Sequence, residues 1–140
     1  MENNVFTAIR HGCYDLKYYL VVLVKLQNKV LDDEIKDRLT ELSYKIIEER
    51  CKCTILSFEI KDNSVHILFE ASPQVQLSKL INNYKTITSR LLRKEFRDRL
   101  NESGDVSSFW ERSYLILTDS QYAKRIIAYY IEMQEKAGKR

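Results

Sequence analysis

Residues 53–70 read CTILSFEIKDNSVHILFE, two runs of alternating character joined by Asp62-Asn63. Strand side chains point to opposite faces in turn, and Asp and Asn tolerate the tight backbone of a short turn. The pattern therefore predicts a hairpin, with strands from Cys53 to Ile60 and from Ser64 to Glu70. It also puts Asp62, Ser64 and His66 on one face. Upstream, residues 16–25, LKYYLVVLVK, are rich in branched and aromatic residues and read as a buried strand. Between the two, Asp32-Asp33-Glu34 places carboxylates where a helix N-terminus favours them. Ile35, Leu39, Leu42 and Ile46 then recur at helical spacing, which predicts an amphipathic helix to about residue 50.

Downstream, Pro73 closes the hairpin and a long helix is expected from about Val75 to Leu100. Its apolar stripe is Leu77, Leu80 or Ile81, Tyr84, Ile87 or Thr88, and Leu91. Asn101 to Ser108, with Gly104, reads as a loop, and Arg112 to Thr118 as a fourth strand. Thr118-Asp119-Ser120 caps a last helix that runs through Tyr130 and Gln134. Strand, helix, strand, strand, helix, strand, helix is the order of a split βαβ arrangement. The expected fold is α+β and ferredoxin-like: a four-stranded, mainly antiparallel sheet with helices packed on it and a C-terminal helix. Such an architecture hosts many activities, so it leaves function open.

A chain of 140 residues is expected to form a single domain over 1–140. Hydrophobic residues at 44% against 31% charged exclude a disordered chain. A net charge of +3 means that any basic surface must come from local clustering. No run reaches the length of a membrane span, and the N-terminus lacks a signal-peptide pattern. Cys13, Cys51 and Cys53 are odd in number and lack Cys-x-x-Cys spacing, which fits reduced thiols and a cytoplasmic location.

Clustering is found on the long predicted helix. Lys79, Lys85, Arg90, Arg93, Lys94, Arg97 and Arg99 stand against Glu95 and Asp98, with polar Asn82, Asn83 and Thr86 between them. That composition suits a face that tracks phosphates, and also a face that merely solubilises. Arg10, Lys17, Lys25 and Lys29 would extend it, and Tyr14, Tyr18 and Tyr19 offer rings for unpaired bases to stack on. The apolar stretch at 18–24 is compatible with a sheet edge that needs a partner. Taken singly, His66 fits core packing, Tyr130 fits packing among Ile126, Ile127 and Ile131, and Gln134 fits a solvated helix position. Four residues apart on a helix, Tyr130 and Gln134 are neighbours. The residues alone lead to a small α+β domain suited to nucleic acid.

The stretch from Tyr14 to Gln134 goes further. Tyr18-Tyr19-Leu20-Val21, the helix from Gln76-Leu77-Ser78 to Lys94-Glu95-Phe96, Phe109-Trp110-Glu111-Arg112-Ser113-Tyr114 and Tyr130-Ile131-Glu132 with Gln134 resemble, in order and spacing, the HUH-type single-tyrosine transposases of insertion-sequence 200/605 elements. In that family a strand carries His-hydrophobe-His, and the last helix carries a tyrosine followed four residues later by a glutamine. Ser64 stands where the first histidine is usual, Gln27-Asn28 where a basic cluster is usual, and Ser120-Gln121-Tyr122-Ala123 where Gly-Gly-Ala-Pro is usual.

The resemblance implies cleavage of single-stranded DNA beside a hairpin, with Tyr130 as nucleophile forming a 5′-phosphotyrosine. It implies Mg²⁺ or Mn²⁺ held by His66 and Gln134, with Ser64 at a degenerate third position and Asp62 as a carboxylate able to substitute. It implies a homodimer whose sheets join edge to edge, the tyrosine helix reaching the partner, and no membrane or small-molecule substrate. Two outcomes follow from Ser64: an active strand transferase that tolerates it, or a hairpin-binding protein whose cleavage is weakened or lost. A protein-interaction domain without DNA would require the basic helix to be irrelevant.

Overall fold

The run Leu20-Val21-Val22-Leu23-Val24 is buried throughout, with no residue more than 5% exposed. The computed structural model describes residues 7–9, 12–25, 31–101 and 108–138. A short antiparallel ribbon, β1 (Thr7–Ile9) with β2 (Gly12–Tyr14), precedes the buried strand β3 (Lys17–Val24). Then come α1 (Asp33–Tyr44), which continues as a π-helical turn over Lys45–Arg50, and the hairpin β4 (Thr54–Lys61) and β5 (Ser64–Glu70). The chain ends with α2 (Leu77–Glu95), the short α3 (Arg97–Asn101), β6 (Trp110–Thr118) and α4 (Ala123–Gly138). The ribbon was not expected from the sequence pattern. The long predicted helix divides at Phe96, whose backbone leaves helical values before α3 resumes.

Four strands form one sheet in the order β4-β5-β3-β6, with every neighbouring pair antiparallel. This is the expected ferredoxin-like α+β arrangement. The expectation of a sheet edge at 18–24 is overturned: β3 is central, paired with β5 from Lys17↔Glu70 to Leu23↔Ser64 and with β6 on its other side. A strand covered on both faces is apolar at every position, which explains its composition better than an unpaired edge does. The edges are β4 and β6.

Alternation along β3 and β5 sorts the two faces. Leu20, Val22 and Val24, with Val65, Ile67 and Phe69, pack against Ile35, Leu39 and Leu42 of α1 and Leu80, Ile81, Tyr84 and Leu92 of α2. Each such fully buried aliphatic side chain contributes about 1.5–3 kcal/mol. Tyr19, His66 and Leu68 face the other way, toward Ile127, Ala128 and Ile131 of α4. The sheet therefore lies between α1 and α2 on one side and α4 on the other.

Specific polar contacts tie these layers. Asp32 Oδ1 caps α1 by accepting from the Ile35 amide at 2.9 Å, and Arg99 on α3 donates to Asp32 and Glu34 at 3.0 and 2.7 Å. Arg38 on α1 donates two bonds to Glu95 on α2, at 2.8 and 3.1 Å. Inside the core, Ser43 meets Tyr84 at 2.7 Å, and Trp110 Nε1 donates to Thr88 Oγ1 at 2.8 Å. Among the described residues every buried polar side-chain atom has a partner. The hairpin turn is anchored as well, because the Val24 amide donates to the Asn63 carbonyl at 2.7 Å. Among the described residues no helix is long and apolar enough to cross a membrane.

Candidate functional site

Two residues apart on β5, Ser64 and His66 share a face, and Ser64 Oγ lies 2.8 Å from His66 Nε2. Ser64 is 3% exposed, and its hydroxyl also reaches the Lys61 carbonyl at 2.9 Å. A carbonyl can only accept. When the hydroxyl gives its one proton to Lys61, the imidazole must donate to Oγ through Nε2–H. Half-burial holds the His66 pKa below its ordinary value; nearby Lys61 acts in the same direction and Glu59 opposes it. The ring is therefore neutral at neutral pH.

Asp62 does not share this face by strand alternation. It is the first residue of the turn, with a left-handed φ of 54°, so the alternation that would aim it beside Ser64 stops at Ser64. The residue opposite His66 is Glu59 on β4, and opposite Ser64 is Lys61. Sequence reasoning missed Glu59, although counting back from the Asp62-Asn63 turn pairs Lys61 with Ser64 and Glu59 with His66. Glu59, Lys61, His66 and Tyr19 line a cavity of about 490 Å³, closed on the other side by Lys124 and Ile131 of α4. Lys61 Nζ lies 3.3 Å from Glu59 Oε2, with both side chains more than half exposed.

The second group sits on the same side of the sheet but on β6. Tyr130 Oη is 2.7 Å from Ser113 Oγ, and Ser113 donates to Gln134 Oε1 at 3.2 Å. An amide oxygen only accepts, so the single Ser113 proton is committed to Gln134, and Tyr130 must donate to Ser113. Burial raises the Tyr130 pKa, the Ser113 bond opposes that, and Glu111 adds to the rise. Tyr130 is a phenol at neutral pH. Its neighbour Tyr129 is 63% exposed, so the helix phase aims Tyr130 at the sheet and Tyr129 away from it. In the sequence Ser113 is only part of a motif, and its role as the anchor of both α4 residues emerges from the tertiary structure.

The structure thus brings Tyr130 together with Gln134, and His66 together with Ser64, but does not bring the two pairs together. His66 is opposite Val21, and Val21 opposite Leu115, so β3 separates β5 from β6. Two strand spacings alone make about 10 Å. Among the described residues no three His, Cys, Asp or Glu side chains converge as metal ligands.

The basic residues divide differently. Lys79, Asn82, Thr86, Arg90 and Lys94 are exposed on α2 at helical spacing, across the sheet from α4. Lys85 turns inward instead: its ammonium donates to the Glu111 and Arg112 carbonyls at 2.6 and 3.1 Å and stands 6.0 Å over the Tyr114 ring. Arg93 is half-buried, with Nε directed to the Ser89 carbonyl at 3.3 Å. Lys17 pairs with Asp15, and Lys25 is exposed just beyond β3. Tyr18 packs on Phe69 with ring centroids 5.8 Å apart, Tyr19 lines the His66 cavity, and Tyr14 is half-buried on β2. Arg10, Lys29, Gln27, Asn28 and Gly104 lie outside the described residues.

Comparison with known proteins gives a consistent picture. A family model described as "transposase IS200 like" matches residues 12–134. The ISDra2 transposase TnpA of Deinococcus radiodurans is 29% identical over 121 residues, which span 86% of this chain and 85% of that protein. A solved structure of a candidate transposase from Deinococcus radiodurans R1 superposes with a TM-score of 0.81 at 28% identity, covering 91% of this chain and 97% of the other. The REP-associated tyrosine transposase bound to a REP hairpin has a TM-score of 0.51 at 8% identity, covering 81% and 61%, a likeness of fold.

Proposed function

The chain belongs to the family of IS200-like transposases, and from that we propose that it binds single-stranded DNA carrying a hairpin and joins to it through Tyr130. The observation that carries this reading is the aim of Tyr130: alone of the paired tyrosines on α4 it turns to the sheet face that also bears His66. In the transfer, Tyr130 Oη attacks the phosphodiester phosphorus, the 3′ oxygen leaves, and a 5′-phosphotyrosine forms that a second 3′ hydroxyl can resolve. The bond to Ser113 holds the phenolic proton until attack.

Mg²⁺ or Mn²⁺ at His66, when bound, would supply charge stabilisation at the phosphoryl oxygens. The donors present fit such an ion in part. His66 Nε2 is hydrogen-bonded to Ser64 Oγ at 2.8 Å and would hold an ion only on giving up that bond. Gln134 stands with Ser113 instead. Its participation requires α4 to shift, or a second protomer to supply it. A homodimer joined through a β4 or β6 edge would present α4 of one copy to the other. DNA contact through Lys79, Arg90 and Lys94 would then occur on the opposite side of the sheet from Tyr130.

The hold of Ser113 on Gln134, with β3 lying between its strand and that of His66, together with the serine in the histidine position, favours a second reading: a hairpin-binding member whose cleavage is weakened or lost. One experiment separates the two. The protein is incubated with hairpin-bearing single-stranded DNA and Mn²⁺, and a covalent adduct is sought. An adduct that disappears in Tyr130→Phe supports transfer. Binding without an adduct, with an adduct gained in Ser64→His, supports the second reading. Absence of binding to any hairpin of a family panel overturns both.

A further inference from the structure

We propose that the cavity beneath α4 holds a phosphodiester of the bound single strand, gripped by Lys61 of β4 and Lys124 of α4. The proposal rests on the reading above for the identity of the polymer, whereas the charge of the cavity is read from its own lining. That reading leaves Tyr130 on one side of the sheet and Lys79, Arg90 and Lys94 on the other. A strand presented to Tyr130 therefore needs cations on the α4 side. Lys61 and Lys124 both line the cavity there, one from the sheet and one from the helix. Against these two ammoniums the lining sets one carboxylate, Glu59. One positive charge is left over, so the lining fits an anion. The volume of about 490 Å³ lies within the roughly 300–1,000 Å³ usual for ligand clefts, which leaves room for a phosphate and its sugar.

Without DNA, Glu59 neutralises Lys61 at 3.3 Å, with side chains 55% and 66% exposed. An ion pair this exposed is weak and readily exchanged. The carboxylate is thus an internal competitor that the phosphodiester displaces from Lys61. Lys124 has no such competitor, since it forms no ion pair among the described residues. Leu68, Ile127 and Ile131 also line the cavity, and their apolar surface suits the sugar beside the phosphate. A phosphate neutralised here releases counterions from the strand, so binding should weaken as salt rises.

The test measures binding of a fluorescent oligothymidylate to the whole chain in EDTA, over a series of salt concentrations. Wild type should bind at low salt, and Lys61→Met and Lys124→Met should each weaken binding. Combining the two should reduce the steepness of log affinity against log salt by about 0.7, the share of one phosphate contact. Glu59→Gln should tighten binding, an effect that a misfolded variant could not mimic. Lys136→Met removes a charge outside the cavity, where Lys136 pairs with Glu132, and should leave the slope unchanged. No binding by wild type, an unchanged slope in the double variant, weaker binding in Glu59→Gln, or an equal fall in Lys136→Met overturns the assignment. Inorganic phosphate that binds by calorimetry, with oligothymidylate affinity indifferent to both lysines, gives the cavity to a free anion and also overturns it. A Tyr130 adduct that persists while both lysines prove inert leaves the transposase reading intact. Conversely, oligothymidylate held through both lysines, with no affinity for any hairpin, sinks that reading and keeps the site.

Discussion

Tyr130 donates its phenolic proton to Ser113, on the edge strand β6, and not to any group on the strand that carries His66. Ser113 in turn donates to Gln134, so one hydroxyl holds both family-matching residues of α4. Because α4 has few other buried anchors, Ala123 and Ile127 among them, this hydroxyl is a principal polar tether of the helix.

Ser113→Ala should therefore loosen α4. The expected loss is about 1 kcal/mol, the net worth of a typical intramolecular hydrogen bond, read by urea denaturation. The same change should raise the Tyr130 pKa further, because on ionisation the Ser113 hydroxyl turns to donate to the phenolate and so favours it in the native protein. A spectrophotometric titration of wild type against Tyr130→Phe and Ser113→Ala would report this. A Tyr130 titration that moves down in Ser113→Ala would contradict the hydrogen-bond assignment.

His66 should titrate by NMR below its ordinary value of 6.5. The native state binds this proton less readily than the unfolded chain does. Its contribution to stability is therefore complete above the unfolded value and is lost as pH falls through 6.5 toward the native value. Lys61→Met should move the midpoint up and Glu59→Gln should move it down, since the two charges act in opposite directions.

Leu20 is fully buried on the central strand, whereas Leu56 on β4 is 47% exposed. Leu20→Ala should cost about 2–5 kcal/mol, and Leu56→Ala should stay within about 0.5 kcal/mol of wild type. Comparable losses from the two would contradict a core centred on β3.

Lys79→Ala and Arg90→Ala should each weaken binding to single-stranded DNA and lower the salt-dependence slope by about 0.7, as the loss of one phosphate contact requires. Lys85→Ala should instead reduce stability, because its ammonium serves the β6 backbone. An unchanged slope in the first two would remove α2 from the DNA surface.

The sequence by itself determined the family and the main elements, but not the β1-β2 ribbon or the break at Phe96. Alternation on either side of Asp62-Asn63 matched β5 at Ser64–Glu70 residue for residue and β4 within one residue at each end, and the Asp32-Asp33-Glu34 carboxylates and the Ile35-Leu39-Leu42 stripe marked α1. These signals are local: turn chemistry and periodicity depend only on neighbours along the chain. Even the pairing of Glu59 with His66 was legible by counting from the turn. What lay beyond reach was everything set by the pairing of distant segments. The central place of β3, the inward turn of Lys85, the position of α2 across the sheet from Tyr130, and the strand that separates His66 from Ser113 all depend on which strands become neighbours. That choice was made by the burial of apolar faces from across the whole chain, a collective property that no single stretch of residues records.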